Sequence, residues 1–176
     1  TENPGGIESV IMNYYRHIDR KKIQFDFLVH RNFQADYDKE ILELGGNIYR
    51  VPRLNPFSTE YSKALDSFFS EHPYDIVHSH LDCLSAYPLK SAEKYGTSTR
   101  IAHAHNVNQD YNLKYLLKLY AKRKIPKYAT DFFACSADAG KWMFPGQKFQ
   151  VIKNAIDVRK YMYHSETEQV MKSKLK

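Results

Sequence analysis

DIVHSH at residues 75–80, LSAYPLKSAEKYG at 84–96 and TRIAHAH at 99–105 decide the fold. The first and last are short runs that end in histidine and read as strands. The segment between them reads as a helix over 84–95 that stops at Gly96, a residue favoured just past a helix end. Strand, helix and strand joined by short links make a βαβ unit, whose two strands run parallel with the helix crossing over one face.

The same alternation extends in both directions. Upstream, Ile7, Val10, Ile11, Tyr14, Tyr15 and Ile18 recur at the spacing of one helical face. Residues 23–30 (IQFDFLVH) read as a strand, 36–44 as a helix stopped by Gly45-Gly46, and 47–51 as a short strand ended by Pro52. After a loop at 52–57, Ser58 or Thr59 caps a helix that turns Tyr61, Leu65, Phe68 and Phe69 inward. Downstream come a helix over about 111–124, a strand at 131–136, a helical turn around Trp142, a strand at 149–153 and a helix over 166–175. The expected fold class is α/β, a Rossmann-like, doubly wound parallel sheet covered by helices on both faces. Ligands of such sheets bind at the carboxyl ends of the strands, near a topological switch point, so the residues closing each strand are the candidate site. TENPGG at residues 1–6 leads straight into a helix. The first, central strand is therefore expected to be missing and the chain to be a fragment cut at both ends.

Composition removes several classes. A chain of 176 residues makes one domain of ordinary size that buries about 70% of its unfolded surface with no disulfide or metal staple. Its 14 Tyr and 10 Phe give it a burial capacity that a disordered tail lacks. The longest apolar run, Phe132 to Cys135, falls far short of the ~18 residues of a spanning helix. No secretory signal is recognisable, and Cys83 and Cys135 lie far apart, so a reducing, cytoplasmic setting with free thiols is expected. Against 20 Asp and Glu, 26 Lys and Arg leave a net charge of +6. That charge suits a nucleic acid, an anionic membrane surface or a phosphorylated substrate.

Four histidines carry the chemistry. His78 and His80 close one strand, His103 and His105 another, and alternate residues on a strand share a face. If the strands are neighbours, all four gather at one rim. Three chemistries fit: hydrogen bonding to backbone at the strand ends, zinc ligation, and a pocket for hydroxyls or phosphate oxygens. Zinc is disfavoured because Asp82 is a poor fourth ligand and Cys83 lies past the strand, so no metal is expected. Asn3-Pro4-Gly5-Gly6 ahead of a helix either forms a plain turn or brings backbone N–H groups to an anion. It is neither a P-loop nor a GxGxxG fingerprint. There is no nucleophile elbow and no acidic pair legible in the sequence. From Lys90 to Lys127 nine basic residues face two acidic ones. The helix in that stretch either packs on its sheet with a solvated outer face or meets an anionic bilayer. RRM, KH and zinc-finger patterns are absent, so nucleic acid is not an expected partner.

GGIESVIMNYYRHID (5–19), DYDKEILELGGNIYRVP (36–52), YDIVHSHL (74–81), RIAHAHN (100–106), FFACSADAGKWMF (132–144) and VIKNAIDVRKY (151–161) follow one another in a familiar order. Over nearly the whole chain they resemble the bacterial family-4 glycosyltransferases of capsular and exopolysaccharide synthesis. The resemblance implies a GT-B fold, with two Rossmann-like domains facing a cleft. Residues 1–157 would be the N-terminal, acceptor-side domain, and 158–176 would begin the linker to an absent donor-binding domain. The implied reaction is retaining transfer from a nucleotide-sugar, commonly a UDP-sugar, to a saccharide or lipid-linked acceptor. It needs no cofactor and no metal, and takes place at the cytoplasmic face of the plasma membrane. Gly5 and Gly6 match the loop facing the donor diphosphate, and His105 matches the histidine beside the transferred sugar, which makes it the catalytic candidate. His80, Ser136 and Asn154 match recurrent positions around the cleft, with Ala155 standing where glycine is usual. His103 and Asn106 complete the binding set, although relatives often carry Asp at the latter position. The fragment alone is expected to be inactive. The rival readings are a non-catalytic Rossmann-type module for a phosphorylated ligand and a peripheral membrane adaptor.

Overall fold

A computed structural model of the protein describes residues 5–106, 113–158, 162, 163 and 165–174. Among these, the chain runs α1 (Gly6–His17), β1 (Phe27–Val29), α2 (Asp38–Glu43), β2 (Ile48–Arg50), α3 (Thr59–Glu71) and β3 (Ile76–Ser79). A 3-10 turn (Asp82–Ser85) leads into α4 (Ala86–Lys94), then β4 (Thr99–Ala104), α5 (Leu113–Tyr128), β5 (Asp131–Ala134), α6 (Ala137–Met143), β6 (Gln150–Val151) and α7 (Ser165–Lys174).

All strand pairs are parallel, as the βαβ reading requires. The sheet comes in two pieces, β1-β2 and β3-β4-β5-β6, with no pairing between β1 and β3 among the described residues. A doubly wound sheet without its central strand takes this form. Side chains tie the two pieces together. The Tyr74 hydroxyl donates to the Asp26 carboxylate at 2.7 Å, and Leu28 of β1 and Val77 of β3 pack on one core of Val51, Tyr61, Leu65, Phe69 and Ala92.

Several elements differ in extent from the sequence reading, each for a local reason. The strand expected over 23–30 shrinks to three residues, because Asp26 turns its carboxylate to the Asn47 N–H and amide and to Tyr74. The helix expected over 84–95 is a 3-10 turn followed by α4, with Pro88 in the first α turn, where its missing N–H costs nothing. α5 continues past residue 124 and through Pro126 to Tyr128, since fully buried Ala121 and Ile125 hold it to the core. Its expected start near residue 111 lies outside the described residues.

Alternation along β4 positions the site. Ala102 and Ala104 enter a core with Leu89, Ile125, Ala139 and Met143, under α4, α5 and α6. His103 and His105 consequently face the other side of the sheet. There α1 lies over them, and its Val10, Ile11 and Tyr14, with Ile18 just past its end, join Phe25, His78, His80, His103 and Ile152 around a cavity of about 190 Å³.

Candidate functional site

β3 and β4 are neighbours in register His78↔Ile101 and Ser79↔Ala102, which brings the two HxH pairs side by side. Ring centroids lie 4.2 Å apart for His78–His80, 4.4 Å for His103–His105, and 5.0 to 5.2 Å for His78–His103, His80–His103 and His80–His105. His78 Nε2 and His103 Nδ1 share a hydrogen bond of 3.1 Å, and His80 Nδ1 and His105 Nε2 share one of 2.8 Å. Phe133 of β5 stands edge-on to both His78 and His103.

Crowding keeps these rings uncharged. Burial pushes His78 down to about 4 and His103 to about 3, with the charge of neighbouring imidazoles adding to the effect. His80 falls well below its ordinary value for the same reasons. His105 is also lowered by burial, while the Asp82 carboxylate pulls it back up. His78 is exposed at the sheet, yet the burial around its ring still lowers it. At neutral pH the cluster therefore holds four neutral imidazoles; the two ring-to-ring bonds use one nitrogen of each, and the second nitrogen of each ring is left to donate or accept.

Asp82 organises the rim. It is a non-glycine residue at φ 47°, in the left-handed region. There its carboxylate accepts the His105 backbone N–H at 2.8 Å and the Asn106 side-chain amide at 2.7 Å. Cys135 Sγ donates to the His105 carbonyl at 3.3 Å, so the His105 backbone is held at both its N–H and its carbonyl. The sequence reading considered Asp82 only as a metal ligand and gave Cys135 no role. The HSHLD run could have pointed to the former, because an acid just past a strand end is placed to bond backbone N–H groups nearby.

The structure brings His80, His103, His105 and Asn106 together. Ser136 and Asn154 follow the carboxyl ends of β5 and β6, on the same sheet edge, since all four strands run parallel. The Ser136 hydroxyl is engaged as the N-cap of α6, accepting from Ala139 N–H at 3.1 Å. Asn154 is exposed in a segment that α1 grips through Asn13 to the Ala155 carbonyl (2.9 Å) and Tyr14 to the Lys153 carbonyl (3.1 Å). Gly5 and Gly6 are exposed at the start of α1, whose flank, and not the glycines, lines the cavity. Gly5 has ordinary extended angles, and the Glu8 carboxylate folds back over it. Asn3 and Pro4 of that turn lie outside the described residues.

The sequence profile of Glycosyltransferase Family 4 matches residues 4–160. A Bacillus subtilis (strain 168) protein named "Putative glycosyltransferase EpsF" is 35% identical over 167 residues, covering 89% of this chain and 43% of that protein. Anabaena Alr3699/HepE in complex with UDP is similar in structure, with a TM-score of 0.71 at 12% identity over 99% of this chain and 48% of that one. Its complex with UDP and glucose gives 0.73 at 13% identity with the same coverage. The chain thus spans less than half the length of these relatives.

Proposed function

Because this chain belongs to glycosyltransferase family 4, we propose that it is the acceptor-side half of a retaining sugar transferase whose donor is a nucleotide-sugar. Residues 1–157 form that half, and 158–176 lead toward a donor-binding half. The observation that carries this reading is the rim at the carboxyl ends of β3 and β4. There His80, His105 and Asn106 converge in one hydrogen-bond network fastened by Asp82, with the His103 ring packed against His80 and His105. A ring of neutral imidazoles and an amide suits a sugar, whose hydroxyls each donate and accept. It does not suit a diphosphate, which needs cations or clustered N–H donors. The UDP named in the HepE complexes supports a UDP-sugar as the donor here.

In the reaction, the bond from the anomeric carbon to the diphosphate breaks and a bond to an acceptor hydroxyl forms, with that hydroxyl's proton released. Charge builds on the leaving diphosphate, so fixed donors aimed at it lower the barrier. From this chain the start of α1 offers such donors once Glu8 swings aside. His105 orients a sugar or acceptor hydroxyl through its neutral ring. No metal or cofactor takes part in this reading, and one wall of the cleft does not turn over alone.

A second surface bears on the acceptor. On α5, Leu116 and Tyr120 are 68% and 57% exposed, and Lys124 stands 4.2 Å from the Tyr120 ring. Apolar groups among lysines suit an anionic bilayer, where a lipid-linked saccharide would be presented.

The complete gene product, given a panel of UDP-sugars and saccharide acceptors, is expected to release UDP. His105→Ala should slow transfer by about tenfold or more, with the far-UV circular dichroism unchanged. Unaltered turnover in that variant removes His105 from the site. Binding of UDP-sugar without transfer favours a binding module instead.

A further inference from the structure

The rim used for sugar recognition is only one side of the histidine cluster; the other side closes a cavity under α1. We propose that His78, His80 and His103 bind one divalent transition-metal ion of the zinc class, with a fourth coordination position open to that cavity.

Three observations support the site. First, each of the three histidines offers a ring nitrogen within 4.8 Å of those of the other two. Nitrogens around a tetrahedral zinc at 2.0–2.1 Å stand about 3.3 Å apart, so binding requires the set to draw in by at most about 1.5 Å. Second, His103 is 3% exposed, and its Nε2 has no hydrogen-bond partner among the described residues. Buried polar atoms are rarely left unpaired, and a metal ion would satisfy this one. Third, His80 has its Nδ1 held by His105 at 2.8 Å, which leaves Nε2 as its ligating atom. Ligating histidines are normally steadied through their second nitrogen in this way.

The surroundings select the ion. Three imidazoles without a carboxylate favour zinc, cobalt, nickel or copper over calcium and magnesium, which take oxygen ligands. Val10, Ile11, Ile18, Phe25 and Ile152 form an apolar shell around the cavity, and among the described residues no lysine or arginine lines it. The sequence argued against a metal because Asp82 made a poor fourth ligand. Asp82 is indeed committed elsewhere, to His105 and Asn106. A three-histidine site with an open position does not need it.

This inference does not rest on the sugar-transfer reading: a bound ion would take the free nitrogens of His80 and His103 and leave His105 and Asn106 to the sugar, and metal uptake and transfer are read separately. The complete gene product, stripped with a chelator, is titrated with Co²⁺ and then Zn²⁺. One equivalent of Co²⁺ should bind with the visible absorption of a four-coordinate ion, and Zn²⁺ should displace it. His78→Ala and His103→Ala should each weaken Zn²⁺ binding by about a hundredfold or more, whereas His17→Ala leaves it intact. If His103→Ala does not fold, His78→Ala, at the more open end of the cluster, decides alone. Uptake that is indifferent to His78, a six-coordinate Co²⁺ spectrum, or no stoichiometric uptake overturns the site.

Discussion

Asp38 is 2% exposed, a rare degree of burial for a carboxylate. It survives there because Arg31 grips both of its oxygens, Arg50 reaches it at 2.9 Å and the Ala35 N–H donates at 3.2 Å. The Arg31 hydrogen bond holds its pKa below the usual carboxylate value, with burial opposing and Ala35 and the two guanidinium charges assisting. A pKa lower in the folded than in the unfolded chain means the unfolded chain takes up more protons on acidification. The stabilisation is therefore complete above the unfolded value of about 3.9 and drains away as pH falls through the folded one. Urea unfolding midpoints should decline below about pH 4, and Asp38→Asn should lose about 2 kcal/mol at neutral pH while flattening that decline. An acid slope identical in the variant would place its origin elsewhere. At this scale the sequence was readable only where chemistry repeats with the period of the backbone. HSH and HAH declared themselves because alternate strand residues share a face. Asp38 and Asp82 did not, since their roles depend on a guanidinium from another element and on a left-handed turn.

Gly45 and Gly46 read in sequence as one helix stop, and at the scale of elements they do two different jobs. Gly45 takes φ +86°, the left-handed geometry that ends α2. Gly46 instead allows a close approach, since a Cβ there would stand 2.7 Å from Tyr15 Oη of α1 and 2.8 Å from the Phe25 carbonyl. Tyr15 is fully buried and stacks on Phe25, so neither neighbour can yield without opening that small core. Gly46→Ala should cost about 1–3 kcal/mol and Gly45→Ala about 1 kcal/mol, measured by urea unfolding of the complete gene product. If Gly46→Ala is neutral, α1 and the β1 layer are not tightly joined. Element order was legible throughout because apolar periodicity and stop signals are local. Element length was not. β1 is cut short by bonds from Asp26 to Asn47 and Tyr74, and α5 runs through Pro126 because Ile125 is anchored in a distant core.

For the whole molecule, the net charge of +6 is not spread evenly in effect. Several lysines are occupied within the fold: Lys94 pairs with Asp66 at 2.5 Å, and Lys122 donates to the Trp142 carbonyl at 2.5 Å with its ammonium 4.1 Å from the Trp142 ring. What remains on α5 is a patch in which Leu116 and Tyr120 project beside Lys124, on an exposed flank next to the face buried by Ala121 and Ile125. Among the described residues no helix is long and apolar enough to cross a bilayer. In flotation assays the complete gene product should bind vesicles rich in phosphatidylserine and not neutral ones, weakening as salt shortens the range of the charges. Lys124→Glu should reduce the partition coefficient by about fivefold or more, matching about 1 kcal/mol for each surface charge removed. Leu116→Ser should weaken binding at all salt concentrations, because the apolar contribution is not screened. Equal binding to neutral and anionic vesicles would return α5 to the role of a helix that merely covers its sheet. In that case the acceptor would have to reach the histidine rim from solution.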